Sequence, residues 1–187
     1  MHGNALVIGI MIGVVAIILA TILLFFRSRS KHLREQFGPE YSRAIAETGD
    51  RWKAESALEH RKKRIKTLHL RTLTSEERGL FQEAWRSIQA QFIDDPNGTL
   101  AEADRLIQSV LSAEGFPVVD FEQRAADISV DHPAVVENYR IGHTIALKHV
   151  QGRASTEELR QAVIHYRFLF EDLLGQPEYT QTGRALK

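Results

Sequence analysis

Cysteine is absent from the 187-residue chain. That excludes disulfides, thiolate-ligated zinc, iron–sulfur clusters and a cysteine nucleophile, and it leaves the redox compartment unmarked. Charge is absent from residues 1 to 26, so all 24 basic and 24 acidic side chains fall on the remaining 161 residues. No alternating apolar and polar run of four or more residues reads as a strand, which excludes a sheet-built core. No repeat with a period of about 20 to 50 residues is visible. The catalytic templates are missing as well: there is no Walker loop, GxGxxG or GxSxG, no His followed by Glu, and no Glu three residues before a His. Asp95, Asn97 and Thr99 begin like a calcium loop, but its sixth position is Leu100 where the sharp bend needs Gly, so the segment reads as a turn.

What is present begins with Ala5 to Phe26, 22 residues of Ala, Val, Ile, Leu, Met, Phe, Gly and one Thr. At about 1.5 Å per residue such a helix crosses a hydrocarbon core of roughly 30 Å. A signal peptide fits poorly, because Met1-His2-Gly3-Asn4 carries no Lys or Arg and bulky Leu24, Phe25 and Phe26 precede the charged flank. Arg27, Arg29, Lys31 and Arg34 follow directly, and the first acid is Glu35. The positive-inside rule therefore predicts a single pass through the cell inner membrane, with the N-terminus outside and the C-terminal domain cytoplasmic. Ala5, Gly9, Gly13, Ala16 and Ala20 share one face of the span. Small residues at this spacing let backbones approach closely in lipid, so the stripe is a candidate homodimer or partner-helix face.

Beyond the span the pattern is helical throughout. Gly38-Pro39 is a break, Asp50 a cap for a helix to about His69, and Thr74 with Glu77 a capping box. Thr99 with Glu102 is expected to open a helix that Gly115 stops, and Phe116 to Val119 to be extended. Asp120 caps a short helix, Pro133 starts a longer one, and Ser155 with Glu158 caps the last, which ends at Gly175. The expected architecture is all-α: an external tail (1–4), a transmembrane helix (5–26), a basic juxtamembrane helical stalk (27–71), an acidic helical bundle (72–175) and a polar tail (176–187).

Division at Arg71 exposes a charge separation that the balanced total conceals. Residues 27 to 71 carry 13 basic and 6 acidic side chains, net +7, and residues 72 to 187 carry 11 and 18, net −7. Arg61, Lys62, Lys63, Arg64 and Lys66 form the densest part of the basic segment. Tethered beside a bilayer, they and Arg27, Arg29, Lys31 and Arg34 are candidates for contact with anionic lipid, each worth on the order of 1 kcal/mol. Docking on the acidic body or plain solvation competes with that reading, whereas tethering to the membrane argues against nucleic acid.

One pair of side chains could carry chemistry. If residues 133 to 151 and 156 to 175 form an antiparallel hairpin about Arg153, His143 comes level with His165, and two imidazoles with acidic neighbours could hold a metal or pass a proton. A hydrogen-bonded core role competes with that, since no spaced carboxylate completes the site. The favoured reading is a binding protein rather than an enzyme, an adaptor or scaffold with an unidentified protein partner and no cofactor.

Phe37-Gly38-Pro39-Glu40-Tyr41, Glu47-Thr48-Gly49-Asp50-Arg51, the run Asp120 to Asp127, Ser129-Val130-Asp131-His132-Pro133 and His165-Tyr166-Arg167 together resemble an uncharacterised family of bacterial single-pass membrane-anchored proteins. The resemblance covers most of the segment after the span. It implies the architecture and a bacterial source, and no activity or catalytic residue.

Overall fold

The computed structural model describes residues 2–117 and 120–175, with side chains described throughout except at 2–10, 12 and 16. Among these residues there are eight helices and no strand, so the chain is all-α. They are α1 (His2–Phe37), α2 (Pro39–Thr48), α3 (Arg51–Thr67), α4 (Ser75–Gln91), α5 (Pro96–Ala113), α6 (Phe121–Asp131), α7 (Val136–Val150) and α8 (Thr156–Gly175). Val118 and Val119, expected to be extended, and the tail from Gln176 lie outside the described residues. Two units are distinguished, Met1–Leu58 and Glu59–Lys187. Their boundary falls inside α3, within the segment that charge alone marks as one basic stalk.

In the first unit α1 continues unbroken through the apolar run into the charged flank. It stops at Gly38, whose φ of +48° only glycine adopts without strain, and Pro39 opens α2 at a position that needs no amide donor. Gly49, at φ +66°, closes α2 in the left-handed conformation with its N–H on the Ile45 carbonyl at 2.9 Å. Asp50 caps α3 as expected: its Oδ1 accepts from the Trp52 and Lys53 amides at 2.7 and 3.2 Å. Leu33, Phe37, Tyr41, Ala44, Ala54 and Leu58 are buried.

The Gly13–Phe37 part of α1 contains an 18-residue window of mean hydropathy 1.7 and is long and apolar enough to cross a membrane. Only 6% of that window is buried. Ile17 and Leu24 are each 68% exposed, unlike the core helix of a water-soluble domain. The helix is consistent with membrane anchoring. Gly13 and Ala20 of the small-residue stripe are exposed, and the side chains of Ala5, Gly9 and Ala16 lie outside the described residues.

In the second unit α7 and α5 both pack on α8, α4 packs on α5, and α6 on α7. Leu106, Ile107, Val110, Tyr139, Leu159, Tyr166, Leu169, Phe170 and Leu173 are buried, and burial of each large apolar side chain contributes about 1.5–3 kcal/mol. Gly142 lets α7 approach α8 closely, since a Cβ there would lie 2.6 Å from Cε1 of Tyr166. The Thr74–Glu77 and Ser155–Glu158 capping boxes both form.

Two helix starts differ from the sequence reading. α5 begins at Pro96 rather than near Thr99, because Asp95 caps the Gly98 amide at 2.9 Å and proline presets the first turn. The Thr99 hydroxyl instead bonds back to the Asp95 carbonyl at 2.6 Å, inside the helix. α7 begins at Val136 rather than Pro133, because the His132 carbonyl accepts from both the Val135 and Val136 amides and holds residues 133–135 as a turn.

Candidate functional site

The first unit is organised on one carboxylate. Glu55 Oε1 accepts from Ser30 Oγ of α1 at 2.6 Å, Tyr41 Oη of α2 at 2.8 Å and Arg51 Nε of α3 at 3.0 Å. Arg51 Nε also donates to Tyr41 Oη at 3.2 Å. Burial opposes the charge on Glu55, but the hydrogen bonds from Ser30, Tyr41 and Arg51 outweigh it and hold the carboxyl below its usual range. Three helices thus meet on one anionic oxygen.

Beside this junction lies an open pocket of about 410 Å3, lined on α1 by Leu23, Phe26, Arg27 and Ser30 and on the α3 side by Asp50, Arg51, Trp52 and Glu55. Trp52 packs on Phe26 with ring centroids 5.2 Å apart, yet it is 63% exposed. Arg29 borders a smaller pocket of about 100 Å3 with Trp52, Glu55 and Ser56.

The basic residues named from sequence have diverse surroundings. Arg27 is exposed at the pocket, Lys31 pairs with Glu35 at 3.8 Å, and Arg34 lies over the Tyr41 ring at 5.5 Å. In the second unit, Arg64 Nε donates to both oxygens of buried Asp127, at 2.9 and 3.2 Å, and Arg61 donates to Ser129 Oγ at 3.2 Å. Lys62 lies 3.9 Å from Glu59, while Lys63 and Lys66 are exposed. Self-docking therefore occupies Arg61 and Arg64.

His143 and His165 take separate partners. His143 stacks on Phe121 at 3.6 Å and 8°, and burial lowers its pKa. His165 Nδ1 is 2.8 Å from Asn138 Oδ1. Among the described residues no three His, Asp or Glu side chains are grouped to hold a metal ion. Buried His132 meets Asp172 at 2.5 Å, tying the end of α6 to α8.

The bundle interior holds several buried polar groups. Tyr139 Oη, Tyr166 Oη, Asp104 Oδ1 and Arg124 Nε are buried without a hydrogen bond. The Tyr139 and Tyr166 rings lie 5.9 Å apart, and the Arg124 guanidinium lies 5.8 Å from the Tyr139 ring centroid. Burial, with Asp104 nearby, raises both phenols well above their usual range.

Near the surface of this unit the buried rings of Trp85 and Phe170 stack at 4.7 Å and 16°. They floor a groove of about 420 Å3 that Gln82, Arg86, Glu171, Leu174 and Gly175 complete. Trp85 Nε1 is buried and has no hydrogen-bond acceptor.

The Glu55 junction and the Trp85–Phe170 groove escaped the sequence reading. The available signals were an acid four residues after Arg51 inside a basic segment, and a tryptophan in the apolar stripe of α4.

No protein-family model, curated protein or solved structure matches the chain.

Proposed function

We propose that the protein is a single-pass membrane-anchored adaptor or scaffold. In this reading α1 crosses a bacterial inner membrane, the short N-terminal tail is external, and the helical bundle is held at the cytoplasmic face, where it acts by binding a partner protein rather than by turnover. The carrying observation is the solvent exposure of the apolar α1 side chains in a chain whose later helices bury a core of their own. Arg27, Arg29, Lys31 and Arg34 behind the apolar run support the orientation. The net −7 of residues 72 to 187 suits a basic partner, and the groove over Trp85 and Phe170 offers an aromatic floor on which a partner side chain can pack.

Site-specific photocrosslinking of the full-length chain in intact cells tests the reading. A photoreactive residue at Gln82 or Arg86 should give one discrete protein adduct, and one at exposed Gln161 should not. Equal labelling from all three positions, or none from any, would contradict a docking groove. A phosphatase that works only in the periplasm, fused after Lys187, should be inactive because it stays in the cytoplasm, and activity would overturn the orientation.

A further inference from the structure

From the pocket between the end of the apolar run of α1 and the start of α3, we infer a binding site for an anionic phospholipid, with its acyl stem against Leu23, Phe26 and Trp52 and its phosphate at Arg27 and Arg51. The inference rests on the membrane-spanning reading of α1 and deepens it by assigning a specific ligand class to one site.

The pocket lies where the chain changes solvent. Its α1 wall runs from Leu23 and Phe26, the last apolar turn, to Arg27 and Ser30, the first polar one. In a bilayer-crossing helix this is the headgroup boundary, the level at which tryptophan is enriched because its ring is apolar and its N–H seeks water. Trp52 comes to that level from α3, packs on Phe26 and stays largely exposed. A lipid tail would cover that face.

The charges around the pocket sort into committed and uncommitted groups. Asp50 caps α3 through Oδ1, and Glu55 Oε1 already accepts three hydrogen bonds. Arg51 commits only its Nε to Glu55 and Tyr41, and its side chain remains 59% exposed. Arg27 is exposed at the rim. Arg27 and the terminal nitrogens of Arg51 therefore stand as donors next to an apolar wall, their charge balanced by Asp50 and Glu55, and a phosphodiester on an acyl stem complements both the donors and the wall.

The test uses the full-length chain with Trp85→Phe, which leaves Trp52 as the sole tryptophan, reconstituted in phosphatidylcholine nanodiscs. A small fraction of phosphatidylglycerol with brominated tails should quench Trp52 saturably, and more strongly than the same fraction of brominated phosphatidylcholine. Arg27→Gln should weaken that preference roughly fivefold, the loss expected for one basic side chain at a membrane surface, with the melting temperature unchanged. Inorganic phosphate in excess should leave the quenching intact.

Equal quenching by both brominated lipids, or a preference that survives Arg27→Gln, would overturn the site while leaving the anchor in place. Displacement by inorganic phosphate would assign the pocket to a soluble anion instead. Absence of quenching by either lipid would place Trp52 out of reach of the acyl tails and overturn the site, with the spanning of α1 tested separately by membrane extraction.

Discussion

Ser30 on α1 and Glu55 on α3 stand 25 residues apart in sequence and meet through a buried 2.6 Å hydrogen bond. With Tyr41 and Arg51 on the same oxygen, this contact fixes the geometry of the polar exit from the apolar helix. Glu55→Ala should destabilise the first unit by about 2–3 kcal/mol, because it leaves the Ser30 and Tyr41 hydroxyls buried without an acceptor. The folded carboxyl lies below its ordinary value of 4.5, so its stabilisation is present above that pH and is lost as pH falls through the folded value. Glu55→Gln should flatten that acid dependence. Urea unfolding of the detergent-solubilised chain between pH 3 and 7 measures both.

Glu114 behaves oppositely. Its burial, opposed in part by Arg78 and Arg71, raises the carboxyl from 4.5 to about 7. Between these values the folded chain retains a proton that the unfolded chain has released, so stability falls as pH rises through the window and is lowest above it. Glu114→Gln should therefore stabilise the protein by about 2–3 kcal/mol at pH 8 and by less than about 1 kcal/mol at pH 5. Paired denaturation curves at the two pH values give the comparison.

Two glycine-to-alanine changes should have opposite signs. At Gly142 the new Cβ would lie 2.6 Å from the fully buried Tyr166 ring, and overpacking should cost about 1–3 kcal/mol despite alanine's helix preference. At Gly79, in α4, a Cβ meets nothing within 4 Å, and alanine should stabilise by about 0.5–1 kcal/mol. Thermal unfolding followed by circular dichroism reads both shifts.

Arg64 and Asp127 should couple by about 1–2 kcal/mol in a double-mutant cycle, because Asp127 is buried and would keep an uncompensated charge if Arg64 were truncated. The solvent-exposed side of the comparison is Arg86–Glu83, where the coupling should stay below about 1 kcal/mol and fade with added salt.

Gly13 has open space around it, so the α1 surface there is free to meet another helix. Gly13→Ile should abolish self-association in a membrane two-hybrid assay if α1 dimerises through its small-residue face. An unchanged signal would exclude that face.

The helical character of the chain and most of its boundaries were legible in the sequence because they depend on local chemistry. The Thr74–Glu77 and Ser155–Glu158 boxes, the Gly38-Pro39 break and the Asp50 cap act within a few residues of their own position. The start of α5 was misread because two caps competed, and Asp95 with Pro96 prevailed over Thr99 with Glu102. Tertiary placement was less accessible. The Ser30–Glu55 bond, the pairing of Arg64 with Asp127 63 residues away, and the stacking of Trp85 on Phe170 each depend on how helices pack, which composition does not encode. His143 and His165 show the same limit, since a hairpin register brings two residues level without deciding which neighbours their rings meet.

Alkaline carbonate extraction of cell membranes, with the full-length chain compared against one starting at Arg27, tests the anchor most directly. The full-length chain should remain in the pellet and leave it only with detergent, while the shortened chain should appear in the supernatant. Release of the full-length chain by carbonate alone would show that α1 is not held in lipid and would contradict the adaptor reading built upon it.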